Sequence, residues 1–432
     1  MKLIENIWKL IGIDREERVL EAVFRSSFLN LLARACGYAR SVAIAVIIGF
    51  SYKTDAAFMA LSLIGIFLLF VDVFDSIGVP QLVMARIDSE VSFRKITGLL
   101  FSFTVLISFV VSFLALFLLS LILKIPAGFS KEAITATKDS YLLLLPYLFL
   151  SFYFHHFGAV LRSQRRFTVY FVGELIFSFS SFLVTAFGLW ITKDYRVIPL
   201  SFSVSQLFAT LYMVYVGKEF LHFSLYWDSA TRKLLSQFIQ LLMVYSIFHL
   251  YILVDKAFAS FLGEKAVSAL HYGLLLATAL RNVFKFEHIG ITPLSESKAS
   301  LEKLNYYLKY LAVIAFPVSL FLVVFSPFIV KLFFGYGAFS RLDVDLTAVA
   351  LRFYALSLPF MFFWPIIYRA FQIRERIITI SFIALLGVIV NTLANYFFVF
   401  VAGLGIAGVC LGTFVAYIMI CGLGYALFRS LP

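Results

Sequence analysis

The chain has 432 residues, 62% of them hydrophobic and only 14% charged, with a formal net charge of +12. No water-soluble domain buries that much apolar surface, so the composition excludes a soluble enzyme and makes lipid the main solvent. The positive charge is spread over short inter-span segments, which excludes a nucleic-acid-binding patch and fits the Lys/Arg bias of inner-membrane topology.

Residues 1–22 (MKLIENIWKLIGIDREERVLEA) are too charged to span. Leu3, Ile4, Ile7, Trp8, Ile11 and Ile13 recur roughly at helical spacing and predict an amphipathic helix lying on the membrane, with no signal-peptide cleavage site expected. About twelve apolar runs follow, each long enough to cross a bilayer. They lie near 25–50, 56–84, 96–123, 140–161, 168–191, 197–217, 234–261, 266–294, 305–331, 345–371, 377–401 and 405–428. Alternate connections are rich in Lys and Arg: Arg86, Arg94 and Lys95, then Arg162, Arg165 and Arg166, then Lys218, Arg232 and Lys233, then Lys298 and Lys303, then Arg374 and Arg376. The positive-inside rule puts these connections and both termini in the cytoplasm. No connection approaches the size of a folded domain, so chemistry on a water-soluble substrate has no place to be housed. Cys36, Cys410 and Cys421 lie inside apolar runs and read as packing residues, not a disulfide or zinc framework. His155 and His156 are adjacent, a poor metal spacing, and no metal site is expected.

The two halves echo each other. The second run ends in VFDSIGVPQLVMARI and the eighth in KFEHIGITPLSESKA; Gly78 and Gly290 keep nearly the same offset as Pro146 and Pro359. Six spans per half give both halves the same orientation, and parallel repeats of that kind carry their site between them near the midplane. The predicted fold is therefore an all-α polytopic membrane protein of two pseudo-symmetric six-helix lobes, 23–217 and 234–432, joined by a cytoplasmic linker at 218–233.

Ionisable residues inside spans face the bundle interior or a wet cavity. Arg34 and Arg40 in the first run lie about 9 Å apart along a helix and about 120° around it, so they suit a broad cavity and not a single clamp. Two readings stand. Either the guanidinium groups hold the phosphate oxygens of a pyrophosphate head group, or they pair with Asp72, Asp75 or Glu174 to lock helices together. Arg281 and Lys285, at i and i+4, would set positive charge in the second lobe. Asp72, Asp75, Asp255 and Lys256 are candidates for gating or ion coupling, with solvated helix ends as the alternative. Arg352 and Arg369 complete the intramembrane set, Arg369 as a snorkelling side chain.

Four segments resemble the MurJ (MviN) lipid II flippases of the multidrug/oligosaccharidyl-lipid/polysaccharide exporter superfamily. They are RACGYARSVAIAVIIGFSYKTDAAFMA (34–60), DKAFASFLGEKAVSALHYG (255–273), LFFGYGAFSRLDVDLTAVALRFYALSLP (332–359) and NTLANYFFVFVAGLGIAGVCLGT (391–413). The resemblance implies a V-shaped, MATE-like pair of lobes alternating between inward- and outward-open states. Its cargo would be a polyprenyl-pyrophosphate-linked saccharide, lipid II or a similar cell-wall precursor. By the same resemblance Arg34 and Arg40 fall on cavity arginines, and Gly37 on the helix-1 glycine and Asp55 on the helix-2 aspartate, both candidates for gating or coupling. Two further arginine positions of the family fall on Leu68 or Leu69 and on Leu275, and the usual fourteen spans are reduced to twelve.

The expected function is transport without covalent chemistry or a cofactor, with the prenyl tail left in lipid. A coupling ion or the membrane potential would drive it, each charge moved being worth about 2.3 kcal/mol per 100 mV. Partners would be the lipid-linked oligosaccharide, membrane lipids and cell-wall synthases. Two alternatives remain: a cation-coupled multidrug exporter on the same fold, which favours buried acids over arginines, and a non-transporting membrane scaffold. A membrane-embedded glycosyl- or phosphotransferase lacks the polar loop it would need.

Overall fold

A computed structural model describes residues 19–224, 226, 232, 238, 250–284, 294, 297, 299–374 and 376–431, with backbone alone at 19–24, 72, 74–77, 282–284 and 377. Among these residues there is helix and no strand. The long helices are α1 (Val19–Ile48), α2 (Tyr52–Asp88), α3 (Glu90–Phe117), α4 (Lys131–Ser163), α5 (Phe167–Thr192), α6 (Val197–Val216), α7 (250–259), α8 (Ala266–Phe284), α9 (Leu301–Phe334), α10 (Arg341–Ile373), α11 (Ile377–Tyr396) and α12 (Gly405–Ser430). Among the described residues ten helices are long and apolar enough to cross a membrane, and Ala266–Arg281 is a shorter apolar one. Most of the seventh predicted span, 234–237 and 239–249, and nearly all of the N-terminal amphipathic segment lie outside the described residues.

The helices start where polar caps place them, ahead of the apolar runs. Ser89, Ser300 and Ser340 each accept a backbone N–H at the head of α3, α9 and α10. At α10 Asp343 answers back to the Ser340 amide, so two orphan N–H groups are satisfied reciprocally. Inside the helices Pro146, Pro317, Pro327 and Pro359 are accommodated, as membrane helices allow when neighbours re-satisfy the freed carbonyls. Ser203 Oγ donates to the Leu143 carbonyl, three residues ahead of Pro146, and accepts from Tyr147 N at 3.2 Å.

The chain forms two compact units. The first comprises Met1–Ile47, Leu63–Ile122 and Thr137–Tyr245; the second comprises Ile48–Ser62, Leu123–Ala136 and Ser246–Pro432. The first unit is held by an aromatic core of Phe101, Phe154, Phe157, Val169, Tyr170 and Met213. Hydroxyl bridges supplement it: Thr185 Oγ1 to Ser201 Oγ at 2.9 Å and Thr210 Oγ1 to the Leu150 carbonyl at 3.2 Å. Such bridges matter in lipid, where apolar contact alone gives neighbouring helices little reason to associate. The second unit packs α9–α12 around Leu358, Phe362, Ile367, Phe371, Ile380, Ile420 and Phe428. Large apolar side chains left outside, among them Phe113, Trp190, Phe328 and Phe382, suit a surface bathed in acyl chains.

Candidate functional site

Three groups of polar side chains gather the residues singled out from the sequence. The first is on α1. Arg40 donates to Ser181 Oγ of α5 at 3.0 Å, and its guanidinium carbon lies 4.2 Å from the ring centre of Phe202 on α6. Arg34, six residues earlier, is half-buried, and its Nε has no hydrogen-bond partner. Gly37 between them has nothing within 4 Å of where a side chain would begin, so this stretch of α1 borders open space. Glu174 accepts from Tyr170 Oη at 2.8 Å. The side chains of Asp72 and Asp75 lie outside the described residues, as does Lys285; Arg281 is half-buried near the end of α8.

The second group is centred on Asp255 of α7, buried to 4% exposure. Four side chains from three helices donate to its carboxylate. Asn391 and Asn395 Nδ2 of α11 reach Oδ1, each at 3.0 Å. Thr413 Oγ1 of α12 reaches Oδ2 at 2.6 Å, and Tyr354 Oη of α10 reaches Oδ2 at 2.9 Å. Burying a carboxylate costs several kcal/mol, and charge-assisted hydrogen bonds of about 1.5–3 kcal/mol each offset it. Asp255 makes no ion pair with a described residue. The amide oxygens Oδ1 of Asn391 and Asn395 are buried and lack hydrogen-bond partners. Gly412 makes the room for one of them: a Cβ there would sit 1.8 Å from Asn395 Oδ1.

The group thus offers one carboxylate, two amide oxygens and two hydroxyls, all hard oxygen donors, in a dry setting. A half-turn of each amide about its last bond turns oxygen toward the carboxylate in place of nitrogen. Hard donors with a single negative charge fit a monovalent alkali cation, where soft thiolate or imidazole ligands would fit zinc or copper. Of these residues only Asp255 stands out in the sequence as a charge at membrane depth. Asn391 and Asn395 did leave a signal, two amides at i and i+4 within an apolar run, which is an expensive arrangement unless both face a polar partner.

The third group surrounds Asp55, near the start of α2 and fully buried. Its carboxylate accepts from Lys265 N at 2.6 Å, Ser268 N at 2.8 Å and the Ser268 hydroxyl. These are the free donors of the first turn of α8, so Asp55 caps that helix from more than two hundred residues away. Lys265 Nζ in turn pairs with Asp343 at 2.9 Å, tying the same turn to the head of α10. Gly49 (φ +64°) approaches the Ala338 carbonyl so closely that a Cβ would lie 2.5 Å from its oxygen. Lys256, buried beside Asp255, turns the other way and donates to the Phe58 carbonyl of α2 at 2.8 Å.

Comparison with known proteins fits this architecture. The family model described as lipid II flippase MurJ matches residues 44–430. The chain belongs to the lipid II flippase MurJ family. It is 27% identical over 298 residues to the probable lipid II flippase MurJ of Thermotoga maritima, covering 67% of this chain and 60% of that protein's own length. With the corresponding protein of Aquifex aeolicus it shares 26% identity over 405 residues, 90% of this chain and 80% of the relative. Its fold matches a lipid II flippase MurJ solved in an inward closed conformation, with TM-score 0.80 and 21% identity over 94% of this chain and 88% of the other. It also matches an inward-facing MATE multidrug transporter of the MOP superfamily, with TM-score 0.72 and 15% identity over 94% and 97% of the two chains. Arg34, Gly37 and Arg40 precede the stretch matched by the MurJ model, whereas the Asp55 and Asp255 groups lie within it.

Proposed function

We propose that this chain is a lipid II flippase that carries the polyprenyl-pyrophosphate-linked saccharide from the inner to the outer leaflet of the bacterial cytoplasmic membrane, coupled to a monovalent cation. The MurJ match from residue 44 to residue 430 carries the flippase assignment. In this reading two lobes, 23–217 and 234–432, alternate access to a central cavity, with both termini in the cytoplasm. Arg34 and Arg40 line that cavity. Arg34 is the better placed to take a phosphate oxygen, because its Nε is unpartnered while Arg40 already leans on Ser181 and Phe202. The sugars sit in the wet cavity and the prenyl tail stays in lipid, which avoids the large cost of bringing it into water.

Asp255, Asn391, Asn395 and Thr413 would hold the cation, and its charge would compensate the buried carboxylate. The cage is confined to α7, α11 and α12, so its occupancy reports on how those helices pack. Asp55 ties the head of α2 to the head of α8, with Lys265 and Asp343 beside it. Two experiments test the reading. Native mass spectrometry with lipid II, the bare carrier pyrophosphate and a cationic drug is expected to show lipid II retained by wild type and lost by Arg34→Ala/Arg40→Ala. In proteoliposomes, lipid II translocation is expected to need sodium or another alkali cation and to fail in Asp255→Asn. Binding of the drug alone would replace this assignment with multidrug export; absence of any transport would favour a scaffold.

A further inference from the structure

The Asp255 cage has a second floor. Three of the helices that meet there step one turn, about 6 Å, to a second set of facing residues. On α7 that step leads from Asp255 to Tyr251, on α11 from Asn391 to Gly387, and on α12 from Thr413 to Tyr417. The contacts confirm the layer: the Tyr251 and Tyr417 ring centres are 5.7 Å apart, and a Cβ added at Gly387 would sit 1.8 Å from Tyr251 Oη. Tyr251 is 8% exposed, and its hydroxyl has no hydrogen-bond partner among the described residues. A buried phenol usually finds a partner, because leaving its O–H unmet is costly. Here the hydroxyl occupies the notch that glycine leaves on α11, one turn from a carboxylate already held by four donors.

We infer that Tyr251 is a transient ligand on the route by which a monovalent cation enters and leaves the Asp255 cage, with Gly387 giving its hydroxyl room against α11. The inference rests on the cation-coupled reading above and adds to it a residue outside the cage. Tyr251 offers one oxygen lone pair, and the Tyr417 ring beside it offers a π face that attracts cations. Together they would replace part of a hydration shell that the apolar walls of α7 and α12 cannot. A group of this kind lowers the barrier to exchange without deepening the resting site, so its removal affects rate more than affinity.

The test uses the full-length protein and sodium as the probe, with two readouts: equilibrium binding of radioactive sodium to purified protein, and sodium exchange across proteoliposomes. Tyr251→Phe removes one oxygen and keeps the ring. It is expected to bind sodium within about twofold of wild type and to exchange it about tenfold more slowly, the effect of losing one contact to a charged group in the transition state. Gly387→Ala puts a methyl where the hydroxyl sits and is expected to slow exchange at least as much. Wild-type exchange in Tyr251→Phe would overturn the inference. So would an affinity loss as large as the rate loss, which would make Tyr251 a resident ligand. Asp255→Asn separates the two levels: if it binds sodium like wild type, or if wild type binds none, the cage reading itself fails. If Asp255→Asn loses binding while Tyr251→Phe exchanges normally, only the route is wrong.

Discussion

Replacing Asp55 with Ala should be among the most destabilising single changes in the second unit, and its cost can be built from the structure. Asp55 accepts from two backbone N–H groups, of Lys265 and Ser268, and from the Ser268 hydroxyl. The hydroxyl has a fallback in Thr54 Oγ1 at 3.3 Å. The two N–H groups lose their acceptor in a buried setting, at about 1–3 kcal/mol each, for a total of about 2–6 kcal/mol. Relief of the carboxylate's own desolvation moves the outcome toward the lower end. Asp55→Asn keeps one acceptor oxygen and should cost about half as much. Lys265→Ala removes only the ion pair to Asp343, whose lysine side chain is 26% exposed, and should cost about 1 kcal/mol or less. Cys410 and Cys421 are buried and supply the assay. In a Cys36→Ser background, a thiol-reactive dye reports unfolding across a denaturant series as these two cysteines emerge. The expected order of loss is Asp55→Ala, then Asp55→Asn, then Lys265→Ala. If Lys265→Ala cost as much as Asp55→Ala, stability would lie in the ion pair and the helix-cap reasoning would be refuted.

Gly412→Ala would drive a methyl into Asn395 Oδ1 and swing that amide off Asp255; alkali-cation affinity measured by isothermal titration should fall about tenfold or more, as when groups supporting a metal site are disturbed. Gly49→Ala combines a left-handed backbone with a Cβ 2.5 Å from the Ala338 carbonyl oxygen, and the same dye assay should show a loss of about 1–3 kcal/mol. Arg40→Lys keeps the charge but not the planar stack on Phe202, and lipid II binding by native mass spectrometry should weaken nearly as much as in Arg40→Ala. Equal binding by Arg40→Lys and wild type would mean that charge alone matters there.

The spans were legible because lipid imposes a length and a composition that need no knowledge of neighbours. Their starts were less so. Hydropathy starts the third run at 96 whereas α3 begins at Glu90, and the fourth at 140 whereas α4 begins at Lys131. The missing turns are polar, so hydropathy overlooks them, although serine caps such as Ser89 announce them. The third run also stops short at Phe117, with Leu119–Ile122 a separate turn. Charges at membrane depth were legible as residues and opaque as partners. Asp255 and Lys256 are neighbours in the chain, yet one faces Asn391, Asn395 and Thr413 and the other faces Phe58. Nothing local selects those faces; they depend on which helices the fold brings beside α7. Asp55 is the sharper case, since its partners at Lys265 and Ser268 belong to the other half of the sequence.

That adjacency on α7 gives the helix a mechanical meaning. A cation held among Asp255, Asn391, Asn395 and Thr413 would change the charge balance on one face of α7, while Lys256 grips a backbone carbonyl of α2 on another. α2 also carries Asp55, three residues before Phe58, and Asp55 holds the head of α8. Any rotation or slide of α7 that refits the cage must therefore stretch the Lys256 contact and load the Asp55 cap. Lys256→Met tests this chain of contacts, because it keeps most of the packing volume and removes the grip. Sodium binding should persist, while hydrogen-exchange protection of the Lys265 and Ser268 amides should cease to depend on sodium. If protection still tracked sodium in Lys256→Met, the cage and the cap would be coupled by another path, and Lys256 would be a packing residue with a satisfied charge.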